Sequence, residues 1–343
     1  MPGKSSYYKR EGLRTLVETV PINRPVTYGD RIMLIGSCFT EHIGNRLKSL
    51  KFAVDMNPFG IVYNPLSMAE QLGILMHPRV FSRDDLVFHE GLWHSWQHHS
   101  RFSHPDPELL TEMLSRQTRD SSAFLKQAGL LVLTFGTPEA FFLRTGDRLV
   151  SNCHKLPAGE FYSRKPGPDE LAELWIPLLE ALMAQNPGLR ICLSVSPVRY
   201  FKDGPAGNQM SKSILFLFIG TLMEKIPDLF YFPSYEIFMD DLRDYRYYDT
   251  DMMHPGDSGI GYVWEKFVKT CIDPSVYPLM DEVGRLVKAA HHRPGMHVTD
   301  THRQFVAALL AKIRQMQSDN PNLDFTEEVE HLVNQTESGP ARL

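Results

Sequence analysis

A hydroxyl that attacks, an imidazole that takes its proton and a carboxylate that orients the ring are together enough to cleave an ester. This chain offers the first as Ser37, in Gly36-Ser37-Cys38-Phe39, and the other two as Asp251 and His254, in Asp251-Met252-Met253-His254. Near a helix start, that spacing lets both side chains point into one cleft, with the carboxylate fixing the ring tautomer. Alone it is a weak signal, because 14 histidines and 41 acidic residues make chance pairs easy to find. A capping aspartate beside a surface histidine is the plain alternative. Ser37 also has two readings, as a nucleophile beside unpaired helix N–H groups or as an ordinary helix cap.

These residues need elements to hold them. Arg31 to Ile35 is a short apolar run of the kind that forms a buried parallel strand. After Gly36 the period changes, and Phe39, Ile43, Leu47 and Leu50 recur at helical spacing. Ser37 therefore lies at the carboxyl end of a strand, where open α/β sheets place ligands. Further strands are expected over 52–55, 130–135, 189–195 and 229–232. Helices alternate with them over 65–75, from 107 through Leu114 and, after a break, towards 126, then over 168–185, 209–225 and 257–269. Five strands alternating with helices predict a parallel, doubly wound sheet, and right-handed crossovers make it a flavodoxin-like three-layer α/β/α sandwich. Two hairpins stand outside the alternation, over 86–96 and 140–152. The chain up to Asp30 reads as an irregular lead-in, since Pro21 and Pro25 discourage regular structure. From 273 to 343 strands are lost and helices are expected over 275–290, 301–317 and 325–334, forming an appendage to a 1–272 core with a disordered tail from about Gln335.

Several blocks, taken together, resemble the GSCFA-domain family. They are Gly36-Ser37-Cys38-Phe39, Asn57-Pro58-Phe59-Gly60-Ile61-Val62-Tyr63-Asn64-Pro65, Ser151-Asn152-Cys153-His154-Lys155, Ser194-Val195-Ser196-Pro197-Val198-Arg199 and Asn208-Gln209-Met210-Ser211-Lys212. Tyr231 to Glu236, Leu242 to Arg246 and Asp251 to Pro255 complete the set, in order along most of the chain. The family is grouped with SGNH-type esterases and lipases and is mostly bacterial. The resemblance implies a hydrolase scaffold with Ser37 as nucleophile and Asp251 and His254 as its partners. It implies a Ser37–His254 contact of about 3 Å.

The oxyanion donors are less plain. The resemblance points to the backbone N–H of Gly60, although a turn glycine is the equal alternative. Most SGNH enzymes carry Gly-x-Asn-Asp at the end of a later strand, where this chain reads Gly136-Thr137-Pro138-Glu139. Asn152 is the candidate replacement donor, with Thr137 as second choice. Lys155, Arg199 and Lys212 are expected either to make a cationic pocket for a substrate carboxylate or phosphate, or to pair with Asp244 or Glu236.

Cys38 is expected to turn away from Ser37 into the core, as buried cysteines commonly do. His89, His94, His98, His99 and His104 cluster around Trp93 and Trp96. Clustered histidines suggest zinc, but no acid-rich ligand frame accompanies them, so no metal is assigned. Three residues apart, Trp93 and Trp96 fall on opposite faces of a regular strand. One is expected to line the substrate site and the other to pack in the core.

Composition narrows the class. With 43% hydrophobic and 22% charged residues the chain is that of an ordinary globular protein, and its net charge of −5 argues against a nucleic-acid partner. Four scattered cysteines without a CxxC pair give no disulfide framework, which points to reduced thiols and a cytoplasmic setting. No apolar run approaches the ~20 residues of a membrane span. No P-loop, dinucleotide fingerprint or HExxH is present, so no cofactor is assigned. The expected function is a serine-dependent ester hydrolase, or an acyltransferase of the same chemistry, acting on a small or carbohydrate-like ester. A catalytically silent module binding an anion and a metal-dependent hydrolase built on the histidine-rich hairpin are the alternatives.

Overall fold

The structure, a computed structural model, describes residues 8–11, 14–292 and 299–337. Its centre is a parallel sheet of five strands: β1 (Arg31–Gly36), β2 (Ala53–Met56), β3 (Leu130–Phe135), β4 (Arg190–Val195) and β5 (Phe230–Tyr231). Their spatial order is β5-β4-β3-β1-β2. The order reverses beside β1, so a crevice opens between the carboxyl ends of β1 and β3, the usual ligand position in such sheets.

Strand alternation sorts the core into two layers. Met33, Ile35, Leu131, Leu133, Ile191 and Leu193 face one side, where they meet α2 (Pro65–Met76), α3 (Pro107–Lys126), α4 (Pro168–Gln185) and α5 (Gly204–Lys225). Ile32, Leu34, Leu130, Val132 and Cys192 face the other, against α1 (Cys38–Ser49) and α6 (Asp257–Cys271). The expected three-layer sandwich is therefore present. Asn64 starts α2 as the sequence suggests, its side chain accepting the Ser67 N–H at 2.8 Å, with Pro65 at the first helical position.

Outside the sheet, Leu86–His89 pairs with Leu92–Ser95 as an antiparallel hairpin. The second predicted hairpin gains a strand: Ala140–Leu143 pairs with Leu149–Val150 on one side and with Phe161–Arg164 on the other. The lead-in is not wholly irregular, because Tyr8–Glu11 and Arg14–Val17 form a further antiparallel pair. Both strands lie before the prolines that were expected to prevent it.

Three helices follow the sandwich: α7 (Tyr277–Ala290), α8 (Asp300–Asp319) and α9 (Thr326–Glu337). They bury a cluster of their own, including Val283, Leu286, Val306, Ile313, Phe325 and Leu332. Gln335 belongs to α9, so the chain is helical past the point where a tail was expected, and residues 338–343 lie outside the described ones. The helices are tied to the sandwich by an ion pair of 2.6 Å between Lys51 and Glu328, whose side chains are 9% and 3% exposed. The same ammonium lies 5.4 Å from the centre of the Phe325 ring.

Candidate active site

The corner that carries Ser37 is built by close approach. A Cβ on Gly36 would come within 2.6 Å of the Thr134 carbonyl oxygen and of Thr40 Oγ1, so only glycine fits there. The buried Asn57 holds the corner from below, with its Oδ1 accepting the Gly36 N–H at 2.8 Å. This explains why the Asn57-to-Gly60 block accompanies Gly-Ser. Ser37 occupies the N-cap position of α1 but makes no side-chain cap. Its hydroxyl donates instead to Ser196 Oγ at 3.1 Å. The reading of Ser37 as an ordinary cap is thereby removed.

The acid–base pair sits on a tight loop after Tyr248. Tyr248 bridges to Pro255, the Asp249 N–H donates to the His254 carbonyl at 2.8 Å, and Met252 takes a positive φ of 59°. Asp251 Oδ1 accepts the N–H groups of Met253 and His254 at 2.8 and 2.9 Å. Its Oδ2 lies 2.5 Å from His254 Nδ1. These bonds stabilise the charged carboxylate and hold the Asp251 carboxyl down at about 2, although the pair is well exposed to solvent. With Nδ1–H committed to the carboxylate, Nε2 is the ring nitrogen left to act as a base.

Ser37 and His254 line one cavity of about 420 Å³, together with Cys38, Tyr63, Thr137, Glu139, Asn152, Ser196, Arg199 and Tyr200. That volume suits a small ligand. The expected contact between the two is replaced by the Ser37–Ser196 bond. Asn152 Oδ1 accepts the His154 N–H at 2.8 Å, which orients the amide and leaves Nδ2 as its free donor among the described residues. Thr137 also lines the cavity, but its N–H reaches the Tyr63 carbonyl at 3.2 Å, so only its hydroxyl can donate.

Other assignments need correction. The Gly60 N–H donates to the Asn57 carbonyl at 2.7 Å, and a Cβ at this positive-φ glycine (89°) would overlap His99. Gly60 is thus the turn glycine and does not line the cavity. Lys212 does not face a substrate. It is fully buried, and its ammonium donates to the carbonyls of Gly136 and Ser196, each at 2.8 Å. Burial, with Arg199 nearby, pulls its pKa down to about 7. Lys155 is exposed and outside the cavity lining. Of the three cations, Arg199 alone lines the cavity. The expected partners are engaged elsewhere, Asp244 with Arg246 at 2.8 Å and Glu236 with the Tyr231 hydroxyl at 2.9 Å.

Neither Trp93 nor Trp96 lines the cavity. The strand ends at Ser95, and the His98 N–H turns back to the Ser95 carbonyl at 3.1 Å, so strand parity does not extend to Trp96. Trp96 is buried with Val150 and Phe161, while the Trp93 ring lies tilted against Phe88 and under Arg83. Among the five histidines of this region, His94 Nδ1 is bonded to Ser103 Oγ at 2.5 Å, His98 Nδ1 to Ser95 Oγ at 2.8 Å, and His104 Nδ1 to the Asp106 carbonyl at 3.1 Å. Among the described residues no group of three or more His, Cys, Asp or Glu could hold a metal ion.

Cys38 departs from expectation in the other direction, because it lines the cavity beside Ser37. Burial outweighs the nearby backbone N–H groups and raises its pKa, so the thiol stays protonated at neutral pH. Sequence reasoning also missed Ser196. It lies inside a quoted block, but nothing in its spacing announces a bond to Ser37.

Three solved structures share a limited likeness. One is a carbohydrate esterase family 3 protein from Talaromyces cellulolyticus, at 9% identity and a TM-score of 0.33, covering 74% of this chain and 99% of that one. Another is an acetyl xylan esterase, Est2A, from the rumen bacterium Butyrivibrio proteoclasticus, at 12% identity and a TM-score of 0.36, covering 71% of this chain and 64% of that one. The third is a serine-to-alanine mutant of an acetyl esterase with an acetate ion, at 11% identity and a TM-score of 0.32, covering 74% and 99%. No curated protein matches the chain. The family description "GSCFA family" matches residues 31–267, and "GSCFA domain protein, C-terminal domain" matches residues 283–338. With the Gly-Ser corner, the Asn57 clamp and the Asp251–His254 loop all inside the first match, the chain belongs to the GSCFA family.

Proposed function

We propose that the protein is a serine-dependent ester hydrolase, or an acyltransferase of the same chemistry, acting on a small or carbohydrate-like ester. The observation that supports it best is the Asp251–His254 pair, with Nδ1 held at 2.5 Å and Nε2 without a partner among the described residues, on the wall of the cavity that Ser37 also lines. In the reaction the Ser37 hydroxyl turns from Ser196 to His254 Nε2 and attacks the ester carbonyl, while the imidazole takes the proton. Asp251 stabilises the resulting imidazolium without taking a proton itself. The alkoxide-like oxygen of the tetrahedral intermediate is met by Asn152 Nδ2–H, the Thr137 hydroxyl and the positive end of α1. His254 then returns its proton to the departing alcohol, and water or an acceptor hydroxyl repeats the sequence on the acyl-Ser37. Labelling with a fluorophosphonate tests the reading. The probe should attach to Ser37 in the native protein and fail in His254→Ala, and an unreactive Ser37 in folded protein would refute it.

A further inference from the structure

Arg199 stands in a wall shared by two cavities. One holds Ser37 and His254; the other, of about 580 Å³, is lined by Phe201, Phe238, Met239, Tyr245 and Tyr248. The loop carrying the acid–base pair is pinned to this wall, since the Arg199 N–H donates to the Met253 carbonyl at 3.2 Å.

The guanidinium is poorly provided for. Arg199 is half-buried, and its Nε is buried with no hydrogen-bond partner. Nη1 reaches the thioether of Met239, a weak acceptor, at 3.7 Å. The Phe201 ring centre lies 4.9 Å away, and the guanidinium hydrogen-bonds the Tyr248 phenol, a neutral partner that does not cancel its charge. Among the described residues no carboxylate pairs with it. The acids lining the two cavities are engaged elsewhere: Asp244 with Arg246 at 2.8 Å, and Glu139 through Oε1 with Lys202 at 3.5 Å and Ser163 Oγ at 2.8 Å. Lys212 nearby, its own charge disfavoured by burial and by Arg199, offers no compensation.

A partly desolvated guanidinium without an anion is unfavourable, and its planar fork matches a carboxylate or phosphate. We propose that the substrate ester carries such an anionic group away from the scissile bond, and that this group pairs with Arg199 where the two cavities meet. The proposal rests on the esterase reading, since that reading places the scissile carbonyl at Ser37. The aromatic rings of the second cavity flank the anion.

The test compares three acetyl esters built on one short chain: those of hydroxypropanoate, hydroxypropyl phosphate and the neutral hydroxypropanamide. Wild-type protein should favour the better of the two anionic esters over the neutral one by about 30-fold in kcat/KM, the range of a charged hydrogen bond. Whichever anion gains more identifies the source, carboxylate or phosphate. In Arg199→Gln the ratio should collapse towards one, and Arg199→Lys should recover part of it, keeping the charge without the fork. The wild-type ratio stands even if a variant fails to fold. A ratio near one, or no turnover of any of the three by protein whose Ser37 accepts the fluorophosphonate, overturns the anionic substrate and leaves the esterase reading intact. Failure of Ser37 to label overturns the esterase reading and this proposal with it.

Discussion

Ser37 and Ser196, 159 positions apart, meet hydroxyl to hydroxyl at 3.1 Å across the end of β3. Two serines so close raise the question of which one attacks. Ser196 Oγ also accepts the Val198 N–H at 3.3 Å, and its carbonyl is held by Lys212, so it is fixed from both sides. Ser196→Ala should therefore retain fluorophosphonate labelling at Ser37, with kcat/KM lowered by no more than about tenfold, the value of one lost neutral hydrogen bond. Peptide mapping of the labelled protein decides it, and a label on Ser196 would reverse the roles.

Residues of a catalytic unit are not additive. Ser37→Ala and His254→Ala should each lower kcat by roughly 10⁴-fold or more, and the double variant should lose little beyond that. Asp251→Asn should retain at least about tenfold more activity than either, because the loop still positions the ring. Steady-state rates on p-nitrophenyl esters measure all four. An additive double variant would show that the two residues do not act on one step.

Trp96 packs among Val150, Phe161 and His154, away from the cavity. Trp96→Ala should cost about 3–5 kcal/mol of stability, the usual range for an emptied aromatic site. KM should stay unchanged in folded protein. Urea unfolding and ester kinetics on the same sample separate the two effects.

His98 is enclosed by Phe59, Phe81 and Phe102, and burial depresses its pKa to about 3. In the unfolded chain an imidazole takes its proton near 6.5. Between these values the unfolded state binds more protons than the folded one, so this site weakens the fold as pH falls from about 6.5 towards 3. His154, held down to about 4 mainly by burial, acts in the same direction. Melting temperatures measured from neutral pH down to acid should fall more steeply in the wild type than in His98→Phe. Parallel curves would assign the acid sensitivity to other groups.

What could be read from sequence followed from periodicity. The five strands, the Gly-Ser corner and the Asn64 cap rest on apolar runs and turn chemistry that act over a few residues, and these recur in the structure. The approach of the Asp251 carboxylate to the His254 ring was legible for the same reason, since a loop of a few residues carries both. The directions of single side chains were not. Lys212 carries a full charge in sequence, yet it reaches inward because the carbonyls of Gly136 and Ser196 await it at the ends of two other strands. Cys38 follows Ser37, but the turn into α1 brings both to the cavity. Trp96 lies one residue past the end of its strand, where alternation no longer applies. Each of these depends on partners far along the chain, which spacing does not encode.

The ion pair between Lys51 and Glu328 bears on how this chain can be taken apart. One half lies just after α1 and the other in α9, and both side chains are largely removed from water. Breaking such a pair from one side leaves an uncompensated buried charge, at about 3–5 kcal/mol. The sandwich and the helices behind it are thus not interchangeable parts. A chimera joining this sandwich to the terminal helices of a relative would inherit half of a lock, and would fold well only where Lys51 and Glu328 travel together.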